Sequence, residues 1–365
     1  MKPATVFEIN HPGQVHLLRN TITELRRKGC KLGVVAKNDV TITHLLNYYR
    51  IPHLLIGKKG GSASGKLFKQ VCFDLRVFFL VWKHRYQLGV GSSMTNDHVS
   101  AMSPMQAIHL SDDDEDIVPL INRYSYPFSA AIVSPDCVRF SKYAKKNIRY
   151  PGCHELAYLH PKRFQPDSTI LDEIGIGSHE KYFVLRFVSF KAHHDSGHCG
   201  IRFNQKLELV KLLEQYGRVF ITAEDRIEPE LERYRMPVAP EKIHSLMYYA
   251  TLFLGDSQTM TSEAAILGTP ALKCNSFAGK LSVPNELERR YGLCYSYLPD
   301  QYDTFYRHVA GIIKNDKIKK EWSEKRKRFL REKIDVTSFF VWFIEEWPHS
   351  FAANRYDDDL WIRFR

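Results

Sequence analysis

The order of apolar and polar residues predicts an α/β protein of two domains, each an open parallel sheet with flanking helices. Three observations carry this expectation. Short apolar runs alternate with segments of helical spacing through the first part of the chain. The alternation begins afresh near residue 182, after a loose stretch containing Pro151, Gly152, Pro161 and Pro166. The length of 365 residues, 44% of them apolar, suffices for two cores of ordinary size.

Taken in order, residues 6–9 read as a buried strand and residues 11–13 as a turn. Residues 15–28 have helical spacing, with Leu18, Ile22 and Leu25 on one face and Gly29 as the stop. A strand at 32–36, a helix at 41–50 and a strand at 53–56 complete a pattern that demands right-handed crossovers. Further short strands are expected at 87–90, 106–110 and 130–133. The stretch 150–167 is the expected connection, which divides the chain into domains 1–155 and 156–335. In the second domain strands are expected at 182–187, 218–222, 252–254 and 270–273. Helices are expected at 204–216, 243–250, 261–267 and 317–332. Residues 336–365 begin with an aromatic-rich helix that must pack on something.

Charged residues make up 25% of the chain, which argues against wholesale disorder, and the formal net charge is +11. Such a balance favours anionic partners such as nucleotide phosphates or an anionic membrane surface. No nucleic-acid module is recognisable, so nucleic acid is not an expected partner. The seven cysteines have no pairing rhythm and form no C-x-x-C, which points to a reduced, cytoplasmic chain without a cysteine zinc site. The chain opens on a strand-like run, so no signal peptide is expected, and no apolar stretch approaches the ~20 residues that span a bilayer.

The most informative segment runs from Gly255 to Pro270. A buried strand ends at Gly255, hydroxyl residues follow, and a helix carries Glu263 before Gly268 and Pro270. Ligands of open α/β sheets bind beyond the carboxyl ends of strands, where a helix N-terminus offers free N–H groups to a phosphate. Ser257, Thr259, Met260, Thr261 and Ser262 are the candidates for that grip, and Glu263 for hydrogen bonds from a ribose diol. The plainer reading is a capped helix with a carboxylate in an early turn.

This segment resembles the nucleotide-sugar motif of GT-B glycosyltransferases and of the related UDP-N-acetylglucosamine 2-epimerases. The run from Asn10 to His16 resembles their first strand–helix loop, with His11 and Pro12 where glycines usually stand. With the run from Arg186 to Asp195 added, nearly the whole chain resembles domain-of-unknown-function family 354, a GT-B-like group. The resemblance implies two Rossmann-like domains facing across a cleft, with the acceptor on the first and the nucleotide sugar on the second. It implies that the small residues grip the diphosphate and the glutamate grips the ribose. It also implies an enzyme of surface polysaccharide or glycolipid synthesis that needs no metal and no cofactor beyond its substrate.

Under that likeness His16 and His11 are candidate bases beyond the first strand, the alternative for each being a packing histidine. Arg186, Ser189, Lys191, His194 and Asp195 are expected at a strand end, where cations can neutralise a departing diphosphate and Asp195 can act as base or orient His194. The same loop holds His193 and His198, but adjacent loop histidines seldom build a tetrahedral zinc site, and a solvated polar loop is the open alternative. The glycine-rich run 60–66 has the spacing of a phosphate-binding loop but is followed by Leu67 rather than Ser or Thr, and is read as a loop. Lys58, Lys59, Lys66 and Lys69, then Phe73, Leu75, Val77, Phe78, Phe79 and Trp82, form a basic and apolar stretch. The preferred reading is a core helix with a solvated basic entrance, and the alternative lies on the inner face of an anionic membrane. The acidic run 112–116 is read as a solvated loop rather than a cation site.

The expected activity is glycosyl transfer from a nucleotide sugar, with UDP the expected nucleotide, to a glycan or lipid-linked acceptor. One alternative is C2 epimerisation or hydrolysis of a UDP-amino sugar, with Asp97, Glu115, His194 and Asp195 as candidate acid–base groups. Another is a non-catalytic nucleotide- or lipid-binding protein.

Overall fold

The computed structural model describes residues 2–58, 63–177, 180–188, 200–223, 227–236, 238–356 and 359–365. Ser189, Lys191, His193, His194, Asp195 and His198 lie outside the described residues, as do Lys59 and residues 60–62 of the glycine-rich run. The chain forms two compact units, one of Met1–Arg163 with Lys333–Arg365 and one of Phe164–Glu332. The first unit therefore runs past the expected boundary at 155/156 and also takes in the C-terminal tail from Lys333 onward.

In the first unit β1 (Thr5–Ile9), α1 (Pro12–Arg27), β2 (Leu32–Asn38), α2 (Val40–Tyr48) and β3 (Leu54–Lys58) alternate. They are followed by α3 (Ala63–His84), β4 (Leu88–Gly91), α4 (Met94–Met102), β5 (Gln106–Leu110), α5 (Pro119–Tyr124), β6 (Ala131–Pro135), β7 (Asn147–Tyr150) and α6 (Leu156–Leu159). The seven strands are parallel, in the order β3-β2-β1-β4-β5-β6-β7. Both faces of the central strands are buried, which is why β4 reads as an unbroken run of apolar residues and glycine, while β1 is apolar but for Thr5 and the buried Glu8. Phe73, Val77 and Val81 of α3 pack with Val99 of α4 on Val6, Val35 and Ile56.

The second unit holds α7 (Thr169–Glu173), β8 (Tyr182–Phe187), α8 (Phe203–Glu214), β9 (Arg218–Ala223), α9 (Ile243–Tyr249), β10 (Leu252–Gly255) and α10 (Gln258–Leu267). It continues with β11 (Ala271–Cys274), α11 (Ser282–Arg289), β12 (Cys294–Tyr297), α12 (Tyr302–Ile312) and α13 (Ile318–Glu332). Its five strands are also parallel, in the order β12-β11-β10-β8-β9. The tail then adds α14 (Val336–Glu345) and α15 (His349–Tyr356) to the first unit. Thr337 donates from Oγ1 to the Ala157 carbonyl at 2.6 Å, and Ile334 N–H donates to Pro151 at 3.0 Å.

Each sheet has one point where strand order reverses: between β1 and β4 in the first, between β8 and β10 in the second. Loops leaving two neighbouring strands there run in opposite directions and open a crevice. The two segments singled out from the sequence, after Ile9 and after Gly255, begin at these two points.

Candidate functional site

At the second unit's switch point, β10 ends in Gly255 and α10 begins three residues later. Gly255 has φ 154°, and a Cβ there would stand 2.0 Å from the Arg186 carbonyl oxygen of β8. Only glycine lets the two strands close at this height. Ser257 caps α10 by accepting the Met260 N–H at 3.4 Å, and Thr261 Oγ1 donates back to the Ser257 carbonyl at 2.6 Å. The helix stops at Gly268, whose φ of 82° is the left-handed cap. Thr259 is exposed in the first turn, whereas Thr261, Ser262 and Glu263 are buried. The Gln258 and Thr259 N–H groups, ahead of the capped Met260, have no partner within the helix, and Thr259 is exposed.

The rest of the crevice is an ordered polar network. Asp256 takes the Val188 N–H at 2.7 Å and the Ile201 N–H at 3.4 Å. Burial nevertheless pushes its carboxyl up to about 7, against the lowering effect of those N–H bonds. Asn275 donates to the Asp256 carbonyl at 2.7 Å and accepts from Gln258 at 3.2 Å. The fully buried Lys273 ammonium bonds to Gln258, and burial pulls it down to about 8. Arg186 Nη1 donates to Thr222 Oγ1 at 2.9 Å, which holds the guanidinium across the ends of β8 and β9. None of Asp256, Asn275, Gln258 or Lys273 stands out in the sequence, because each gains its position only from strand pairing.

Glu263 lies deeper than the sequence suggests. Its carboxylate bonds to His244 Nε2 of α9 at 3.0 Å, and both side chains are buried. Sequence reading missed His244, which comes from another helix and carries no local signal.

At the first unit's switch point His11 is the N-cap of α1, its Nδ1 accepting the Gly13 N–H at 3.1 Å, with Pro12 in the first turn. Asn10 Nδ2 donates to Ser93 Oγ and to Glu8 Oε1, each at 2.6 Å, and so joins β1 to the loop after β4. Glu8 also accepts the Asn96 N–H at 3.2 Å near the start of α4. Burial raises the Glu8 carboxyl, which the bond from Asn10 opposes. Glu8 and Ser93 were not anticipated.

Several expectations require correction. His16 is not presented beyond the strand: it is buried, 5.6 Å from the Tyr158 ring and 6.1 Å from Tyr49. It stands about 200° round α1 from Leu18, on a second buried side of the helix beside Tyr158 of α6 and Tyr49, so packing governs it. Asp97 is buried against His109 Nδ1 at 2.6 Å and Ser129 Oγ at 2.7 Å, where it links α4 to β5. Glu115 accepts from Ser141 Oγ at 2.7 Å and from the Ser141 and Lys142 N–H groups, which commits it to a turn. The acidic run is not wholly solvated either, since Asp114 is fully buried and accepts the Arg139 N–H at 2.9 Å.

Comparison with solved structures shows the same architecture. The S. aureus MnaA–UDP co-structure has a TM-score of 0.62 at 12% identity, covering 89% of this chain and 91% of that one. The Methanocaldococcus jannaschii UDP-GlcNAc 2-epimerase in complex with UDP-GlcNAc and UDP has a TM-score of 0.61 at 14% identity, covering 86% and 93%. CalG4, the calicheamicin glycosyltransferase, has a TM-score of 0.54 at 11% identity, covering 92% and 96%. These likenesses show the fold, two parallel-sheet α/β domains of the GT-B kind. In sequence the chain is 21% identical over 284 residues to an uncharacterized protein of M. jannaschii, covering 73% of this chain and 80% of that protein. Residues 6–288 match the family model described as Protein of unknown function (DUF354), so the chain belongs to that family.

Proposed function

We propose that the chain is an enzyme that binds a nucleotide sugar, with UDP as the nucleotide, on its second unit and transfers the sugar to an acceptor. The observation that carries this is the start of α10 at the β8/β10 switch point, with the Gln258 and Thr259 N–H groups of its first turn and the exposed Thr259. The UDP in two of the structurally similar proteins supports the choice of nucleotide. Ser257, Met260, Thr261 and Ser262 would order the grip, and Arg186 would lend positive charge at the strand end. Glu263 would meet the ribose, its carboxylate set by His244. His11 would serve as base toward the acceptor hydroxyl while the helix N-terminus stabilises the departing diphosphate.

Epimerisation or hydrolysis of a UDP-amino sugar is the second reading, favoured by the UDP-GlcNAc 2-epimerases that recur among the similar folds. Against it stands the structural commitment of Asp97 and Glu115, two of its candidate acid–base groups.

The test is thermal stability against a panel of nucleoside diphosphates and their sugars. A ligand at 100 times its dissociation constant is expected to add about 2.7 kcal/mol. Thr259→Glu sets a carboxylate where the diphosphate would lie, while an acid in a first helical turn is itself stabilising. The variant is expected to fold as well as the wild type and to lose the nucleotide shift. Retention of the shift, or its absence in the wild type, would refute the site. Consumption of UDP-sugar without an acceptor would decide for the epimerase or hydrolase reading.

A further inference from the structure

Helix α3 buries one row of side chains and leaves an apolar row bare. Phe73, Val77 and Val81 lie in the core. On the opposite side Phe68, Val71, Leu75, Phe79 and Trp82 are between 48 and 71% exposed. Their steps of three and four residues keep them in line along the helix. The expectation of a plain core helix is thus only half met. Met102 of α4 and Tyr124 of α5 are exposed as well, and His98 Nε2 donates to the Tyr124 carbonyl at 3.0 Å. Single exposed apolar residues need no explanation, but a continuous row of this kind marks a surface that meets something.

The charges beside it identify the partner. Lys69, Arg76 and Lys83 follow at seven-residue steps, about 100° round the helix from Phe68, Leu75 and Trp82. Asp74 is the single acid in the α3 sequence, and it is turned inward, 2.7 Å from His98 Nδ1. The outer face of α3 therefore carries apolar side chains flanked by exposed Lys83, by Arg76, whose Nη1 also donates to the Ile56 carbonyl, and by half-buried Lys69, and α3 itself adds no acid to them. Two copies meeting α3 to α3 would bring like charges together. An anionic bilayer surface complements both rows, with Trp82 and the phenylalanines at the headgroup boundary and the basic heads on the phosphates.

We propose that the first unit docks through the outer face of α3 onto the surface of an anionic lipid bilayer. No described helix is long and apolar enough to cross a membrane, so the contact is a surface one. This inference does not rest on the nucleotide-sugar reading.

Flotation of the full chain with vesicles tests it. Phosphatidylcholine vesicles are compared with an equal mixture of phosphatidylcholine and phosphatidylglycerol. The chain is expected to float with the anionic vesicles, less so as salt rises, with a blue shift of tryptophan emission that Trp82→Phe removes. Phe79→Ser is expected to weaken binding at least tenfold, and Lys83→Gln about fivefold. Both positions are exposed, so unchanged circular dichroism and an unchanged nucleotide shift in Phe79→Ser separate this contact from the donor site. Failure to float with anionic vesicles overturns the proposal. So does a stable dimer that Phe79→Ser dissociates and that ignores vesicles, since the face then belongs to a second copy.

Discussion

Gly255 has no side chain because Arg186 O occupies the space a Cβ would need. Gly255→Ala must separate β8 from β10 or distort the turn, and is expected to cost roughly 3 kcal/mol. Chemical denaturation measures that loss, and a cost below 1 kcal/mol, the size of an ordinary surface substitution, would contradict the close approach. Glu263 and His244 make the complementary point. The glutamate is legible in the run from Gly255 to Pro270, but its partner lies on α9 and meets it only when α9 packs on α10. His11 and His16 looked equivalent in the sequence. The structure separates them, since His11 caps the helix and His16, opposite the row of Leu18, Ile22 and Leu25, is buried by a second set of neighbours. Helical phase alone would have left His16 in solvent, and only the tyrosines of other elements enclose it.

Among the elements, α3 and α4 are clamped by one histidine. His98 Nδ1 faces Asp74 at 2.7 Å and Nε2 faces the Tyr124 carbonyl at 3.0 Å. Two acceptors require both ring nitrogens to donate, so the imidazolium is the form that fits. The bond to Asp74 raises the His98 pKa above its ordinary value, against a smaller lowering by burial. The sign follows: the folded state binds this proton more tightly, so its stabilisation is whole below about pH 6.5 and fades as pH rises through the raised value. Wild type is expected to lose stability across that window relative to Asp74→Asn. Denaturant midpoints at pH 6 and pH 8 check this, and parallel pH profiles for the two proteins would contradict it. Most strands of the sheets were legible as short apolar runs, but β7 and β12 were not. Both are edge strands, where polar residues, exposed Arg149 in β7 and half-buried Ser296 in β12, break the apolar signal.

At the scale of the whole molecule, the chain leaves the first unit after Arg163 and returns to it at Lys333. Arg163 Nε donates to both Asp335 oxygens at 2.9 Å, and Asp335 also accepts Ser338 Oγ at 2.8 Å at the head of α14. Phe339 then packs near Tyr150 at 5.5 Å and Phe364 at 5.7 Å. Asp335→Ala leaves a half-buried guanidinium short of its carboxylate and is expected to destabilise the first unit by about 3 kcal/mol. Hydrogen exchange should quicken in α1, α6 and α14 while α10 keeps its protection. Equal loss in both units would show that the tail does not belong to the first alone.

The sequence by itself determined the two parallel sheets, because buried parallel strands must be short apolar runs and crossovers must be helices. It also determined the two strand-end segments, because a capped helix after a buried strand is a local pattern. Only the tertiary structure decided which polar groups meet there, since His244, Lys273, Asn275 and Glu8 acquire partners through packing across the chain. It alone decided that the tail from Lys333 joins the first unit and that one row of α3 stays bare. Apolar periodicity tells how many faces a helix has to cover, and only the neighbouring elements tell which of them are covered.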